Sequence, residues 1–271
     1  METKAPASGE LLDGLRVMRR PAERADAPRL VMVHGSMDTA ASFAKLAACL
    51  PDYEVITYDR RGYGGSSVRA NRPGLMADHV ADLLAVIGNR PSYVFGHSLG
   101  GVITLAAAER SPAVVAGVMV YESPLPWEDW WPAPPLPEHS TTDPALVRPA
   151  AEAFLRRAMG DERWETLPDE TREDFLGWGP VWATELADAR FRGPVFLPEN
   201  LSVPLLTSYG TKTDERHRRG IQEVSRRAGA PVVTVDGGNH LAHRRFPAEL
   251  AALLRDFITV TEESAAHAPA G

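Results

Sequence analysis

Up to residue 122, short apolar runs alternate with stretches whose apolar positions recur at helical spacing. Leu30-Val31-Met32-Val33 is an apolar run ending at His34-Gly35. Ala40 to Leu50 is helix-like and stops at Pro51, and Val55-Ile56-Thr57-Tyr58 is strand-like and ends at Asp59-Arg60-Arg61-Gly62. Leu75 to Ile87 is a further helix closed by Gly88. Tyr93-Val94-Phe95 is a strand, Gly100 to Arg110 a helix of small residues, and Val118-Met119-Val120-Tyr121 a strand. This β-α-β-α order predicts a mainly parallel sheet with helices on both faces. Strands that are continuously apolar, rather than alternating, fit burial on both sides.

The pattern breaks after residue 122. All six tryptophans (Trp127, Trp130, Trp131, Trp164, Trp178, Trp182) fall within residues 123–200, with a proline-rich loop from Pro132 to Pro137. Helical spacing returns at Pro149 to Met159, Pro168 to Leu176 and Trp182 to Ala189. A run of helices between two strands is expected to be an insertion over the sheet rather than a second core. The α/β order resumes with the strand Pro204 to Tyr209, a helix from Asp214 to Ala228, the strand Val232 to Val235, and a helix from about Pro247 to Ile258. The expected division is therefore core over 1–122, a helical cap over 123–200, core over 201–258, and a flexible tail over 259–271.

Composition narrows the field only modestly. A chain of 271 residues, 44% hydrophobic and 24% charged, is an ordinary globular protein able to bury a sizeable core. Its net charge of −7 argues against a nucleic-acid partner. The single cysteine, Cys49, can form no intrachain disulfide and reads as a small buried side chain in a helix rather than a catalytic thiol. No basic segment followed by an apolar run opens the chain, and no stretch approaches the length of a membrane span, so the expected location is cytoplasmic.

The chemistry is concentrated at Gly96-His97-Ser98-Leu99-Gly100-Gly101. A serine between an apolar strand and a helix sits on a sharp, strained turn that lifts its hydroxyl clear of the sheet. The same turn puts the Leu99 N–H at a helix start, where it can face a developing oxyanion. The bland alternative is a glycine-rich helix cap. A serine hydroxyl needs a base, and among eight histidines the candidate is His240, in Gly237-Gly238-Asn239-His240 after the last strand. His243 is its serious rival; His97 adjoins Ser98 and is expected to point elsewhere. The second oxyanion donor is expected from His34-Gly35-Ser36-Met37, through the N–H of Ser36 or Met37; His34 itself reads as structural.

These motifs, with Asp59-Arg60-Arg61-Gly62-Tyr63-Gly64-Gly65-Ser66-Ser67, match the α/β-hydrolase family in order and spacing, and the chain resembles that family from about Gly14 to Ile258. The resemblance implies a mostly parallel eight-stranded sheet flanked by helices, with a helical cap inserted after the sixth strand. The Asp59 to Ser67 turn is usually structural in the family and receives no catalytic role. The family usually takes its acid from a Gly-x-x-Asp after the seventh strand; Gly210-Thr211-Lys212-Thr213-Asp214 is one residue longer, and Asp214 equally suits a helix cap. Glu122, ending the sixth strand, resembles the carboxylate position of haloalkane dehalogenases. A glutamate there is costly to bury without a partner, so Glu122 is preferred and Asp214 is the alternative; Asp236 lies too close to His240 along the chain. The expectation is a serine hydrolase that cleaves an ester, lactone or thioester of a small, apolar substrate through an acyl-enzyme, needing no metal or organic cofactor. The alternative is a non-hydrolytic relative, a lyase, cofactor-free oxygenase or binding protein, using the same pocket.

Overall fold

The computed structural model describes residues 9–69, 74–132 and 136–267. Eight strands form one sheet: β1 (Glu10–Leu12), β2 (Leu15–Arg20), β3 (Arg29–Val33), β4 (Glu54–Tyr58), β5 (Ser92–His97), β6 (Val115–Tyr121), β7 (Leu205–Gly210) and β8 (Val232–Val235), in the spatial order β1-β2-β4-β3-β5-β6-β7-β8. β1 and β2 pair antiparallel, as do β2 and β4; every other pair is parallel. The first two strands are absent from the pattern read along the chain, although their turn, Asp13-Gly14, carries the positive φ values (48° and 83°) that a tight hairpin requires.

The helices are α1 (Ala44–Ala48), α2 (Met76–Ile87), α3 (Leu99–Arg110), α4 (Pro144–Met159), α5 (Asp161–Glu165), α6 (Asp169–Gly177), α7 (Gly179–Phe191), α8 (Glu215–Ala228), α9 (Ala242–Arg245) and α10 (Pro247–Ala266). Period-two alternation within the apolar strands divides the core between two faces. Val31, Val33, Val94, Val118 and Val120 pack with Val80 and Leu83 of α2, Val102 and Ile103 of α3, and Ile221 and Val224 of α8. Leu30, Met32, Phe95 and Met119 pack on the other face with Leu46 of α1 and Leu250, Leu254 and Ile258 of α10.

Two expectations are corrected here. The last helix continues past Ile258 to Ala266, so residues 259–266 are helical rather than irregular; Thr261 and Ser264 donate back to the carbonyls of Phe257 and Val260. Residues 268–271 of that expected tail, and 133–135 of the proline-rich loop, lie outside the described residues. Between β6 and β7 the described residues form four helices, α4 to α7, rather than three. These helices build a cluster of their own around Val147, Leu155, Trp164, Leu176 and Trp182, joined by Met37 and Tyr63 from the sheet side. Trp164 and Trp182 are fully buried there, so these two rings pack the segment.

The chain passes from β3 to β4 on one side and returns to β5 on the other side of β3, which makes the β3/β5 boundary a switch point. In open α/β sheets, ligand crevices form beyond the carboxyl ends of strands at such points. His34 to Met37, Ser98, Glu122, Asp214 and His240 all follow the carboxyl ends of parallel strands.

The elbow after β5 depends on a missing side chain: a Cβ on Gly100 would lie 2.2 Å from the Val33 carbonyl oxygen, a backbone atom that cannot yield. Gly100→Ala is expected to destabilise the fold by about 3 kcal/mol, read as a lowered denaturant midpoint with an unchanged m-value.

Candidate active site

Ser98 lies between β5 and α3 with φ 53° and ψ −126°, a conformation disfavoured for a residue with a Cβ. Its N–H donates to the Tyr121 carbonyl at 2.9 Å, which carries the β5–β6 ladder through the bend. Met37 (φ 51°) and Glu122 (φ 50°) share the strained conformation, so three of the four non-glycine residues with positive φ among the described residues gather at these strand ends. The Ser98 side chain is half-exposed, and its hydroxyl makes no hydrogen bond among the described residues. None of the Leu99 N–H, first in α3, the Ser36 N–H and the Met37 N–H has a hydrogen-bonded protein acceptor among the described residues.

His240 is held by its backbone as well as its ring. Nδ1 donates to Glu122 Oε2 at 2.7 Å, which fixes the tautomer and leaves Nε2 as the basic nitrogen. The His240 carbonyl accepts from His97 Nε2 at 2.7 Å, and the Asn239 carbonyl accepts from the Tyr121 hydroxyl at 2.8 Å. The loop also presses on β7: a Cβ on Gly210 would meet Gly238 backbone at 2.2 Å.

Glu122 is completely buried, and its second oxygen accepts from the Gly210 N–H at 3.0 Å. Burial pushes this carboxyl up. The His240 hydrogen bond and charge, the nearby His217 and the Gly210 N–H outweigh burial and hold it below the ordinary carboxylate range.

The other acid weighed from sequence lies elsewhere. Asp214 is the N-cap of α8, accepting from the His217 N–H at 3.1 Å and from His217 Nδ1 at 2.7 Å. His217 in turn stacks on His240, with centroids 4.4 Å apart and planes 25° apart, and Trp131 meets its other edge at 5.6 Å. Sequence reasoning set His217 aside; its signal was the Asp214-x-x-His217 spacing, which puts cap and ring on one helical turn. The rival His243 is buried against Phe43 and His97 and faces Asp38 at 3.7 Å.

Two sets of potential metal-ligating atoms lie within 4.8 Å of one another among the described residues: Asp38, His97 and His243, and Glu122, His217 and His240. In both, the carboxylate is already engaged, Asp38 by Arg244 at 2.6 Å and the Thr39 N–H at 2.8 Å, and Glu122 as above. No described helix is long and apolar enough to cross a membrane.

The sequence profile of the alpha/beta hydrolase family matches residues 30–253, and the chain belongs to that family. An uncharacterized hydrolase of Bacillus subtilis, YraK, is 38% identical over 107 residues, which cover 38% of this chain and 39% of that protein. The matched stretch thus spans about two-fifths of that curated relative. Among solved structures, the enol-lactonase of Burkholderia xenovorans superposes with a TM-score of 0.70 at 21% identity, covering 93% of this chain and 99% of that one. An alpha/beta hydrolase of Sphaerobacter thermophilus superposes with a TM-score of 0.65 at 26% identity, covering 91% and 97%.

Burial drives His34 down to about 4, with the Arg60 charge adding to the effect, and it takes His217 down to about 4 as well, with His240 adding there. Both rings are neutral in the fold at pH 7 and ordinary imidazoles when unfolded. From about pH 6.5 down to about pH 4 the unfolded chain therefore binds protons that the folded chain refuses, and stability falls on acidification. The expected loss is at most about 1.4 kcal/mol per pH unit for each ring, measured as the free energy of unfolding across that window. A stability flat between these pH values overturns the reading.

Proposed function

We propose that the protein is a serine hydrolase that cleaves an ester-type bond of a small, partly apolar substrate, with Ser98 as nucleophile, His240 as base and Glu122 as the orienting acid. The observation that carries this reading is the 2.7 Å bond from His240 Nδ1 to the buried Glu122 carboxylate beside a strained, half-exposed Ser98. Ser98 Oγ attacks the carbonyl carbon while His240 Nε2 takes its proton. The imidazolium so formed is stabilised by the Glu122 charge. The carbonyl oxygen, now an oxyanion, accepts from the N–H groups of Ser36 and Leu99, which lack protein acceptors among the described residues. The leaving group departs with the proton from Nε2, giving an acyl-Ser98. Water attacks through the same base, and serine and acid are released. The Ser98 to His240 hydrogen bond closes as substrate is seated, since such bonds are often long in unliganded enzymes.

Residues 123–200 serve as the cap over this site in the same reading. The half-buried Trp131, one ring beyond His217, supplies an apolar wall for the acyl or alcohol group. The enol-lactonase and an esterase of Thermogutta terrifontis, which shares the fold at a TM-score of 0.69 and 18% identity, support carboxylic esters and lactones as the first substrates to try.

A fluorophosphonate probe is expected to label wild-type protein at Ser98 and not Ser98→Ala, with turnover of an activated aryl ester lost in the variant by about 10⁴-fold or more. Full ester turnover by Ser98→Ala overturns the proposal; an unlabelled wild type points to a non-hydrolytic relative. Glu122→Gln is expected to lower kcat by about 10³- to 10⁴-fold. Asp214→Asn, which keeps a side-chain acceptor at the cap, should leave kcat within about threefold; the reverse order would make Asp214 the acid.

A further inference from the structure

Arg60 follows β4, and its side chain has no exposed surface. A guanidinium in that position is strongly unfavourable unless its N–H groups are met. Its Nε donates to the His34 carbonyl at 3.0 Å and Nη2 to the Gly35 carbonyl at 3.0 Å, while Nη1 reaches Glu185 Oε1 at 2.6 Å and Nη2 also reaches Oε2 at 3.3 Å. Glu185, equally buried, comes from α7 in the segment inserted between β6 and β7, and is fixed further by the Tyr63 hydroxyl at 2.8 Å; His79 Nε2 lies 2.9 Å from its Oε1.

The Gly35 carbonyl accepts twice. His34 Nε2 accepts from the Arg60 N–H at 2.9 Å, so His34 Nδ1 carries the proton and donates to the Gly35 oxygen at 2.8 Å. That oxygen belongs to the same planar peptide unit as the Ser36 N–H. A plane clamped at its carbonyl edge by two donors is not free to turn, and its N–H projects from the opposite edge. A cation at the carbonyl also draws electron density from the N–H and strengthens it as a donor.

The geometry points to Arg60 and Glu185 as positioning residues of the oxyanion hole: Arg60 orients and polarises the Gly35–Ser36 peptide, and Glu185 of α7 holds Arg60 in place. This rests on the proposed role of the Ser36 N–H and goes beyond it, because the inserted helices then set a donor that belongs to the core.

The test compares wild type with Glu185→Gln, Arg60→Lys and, as a control for loosening of the same helix, Trp182→Phe. Each is assayed on an activated aryl ester and with an arylboronic acid, whose tetrahedral serine adduct presents an oxygen to the hole. In Glu185→Gln and Arg60→Lys, kcat and boronate affinity are expected to fall together by about 10- to 100-fold, with KM within about threefold and Ser98 still labelled to completion by the fluorophosphonate. Trp182→Phe, at a similar loss of Tm, is expected to keep kcat within about threefold. If Glu185→Gln does not fold, Arg60→Lys, which keeps a cation opposite Glu185, decides the matter. The inference is overturned if kcat and boronate affinity of the folded variants stay within threefold of wild type, or if Trp182→Phe lowers kcat equally. Wild-type protein that neither labels nor turns over would instead defeat the hydrolase reading.

Discussion

A carboxylate with no access to water must find its hydrogen-bond donors within the protein, and at Glu122 that requirement brings three strand ends to one place. The residue follows β6, its donors come from Gly210 at the end of β7 and from His240 beyond β8, and the backbone takes a strained positive φ to present it. Leaving such a buried acceptor without its donor costs about 1–3 kcal/mol, and more for a charged group. The His240 loop is correspondingly over-determined: its ring is fixed by Glu122, its carbonyl by His97 and the preceding carbonyl by Tyr121. One imidazole nitrogen is thereby committed and the other left available.

A second buried carboxylate works on the opposite side of Ser98. Glu185 neutralises Arg60, and Arg60 spends its remaining donors on the His34 and Gly35 carbonyls. The two networks differ in what they connect. The Glu122 network closes the sheet upon itself through adjacent strands. The Glu185 network ties the sheet to α7 through a residue that lies 125 positions after Arg60 in the sequence. Both put ionised groups where water does not reach, and in a low-dielectric surround they orient backbone and ring more firmly than exposed pairs would.

The fold itself tolerates wide sequence change. The Burkholderia xenovorans enol-lactonase keeps the architecture over 93% of this chain at 21% identity. Chemistry on such a scaffold is set by the few residues beyond the strand ends. Beyond the strand ends of this chain, Glu122 after β6 bonds His240, and after β7 Asp214 holds His217, whose ring stacks on His240.

Local pattern in the sequence determined the parallel strands, the helices between them, the elbow at Ser98 and the candidacy of His240, because each is written within a few consecutive residues as apolar runs, glycines and a serine or histidine at a strand end. The Asp13-Gly14 hairpin was equally local, and its signal was present though unread. Tertiary structure alone decided that Glu122 rather than Asp214 meets His240, that His217 stacks on that ring, and that Glu185 reaches Arg60. The physical reason is common to all three. A side chain's partner depends on which strand ends and helices lie side by side, and neighbours on different elements, 118 or 125 residues apart for the two carboxylates, leave no trace in local periodicity. The sequence could say that a buried glutamate would need a donor; only the folded chain could say which one it found.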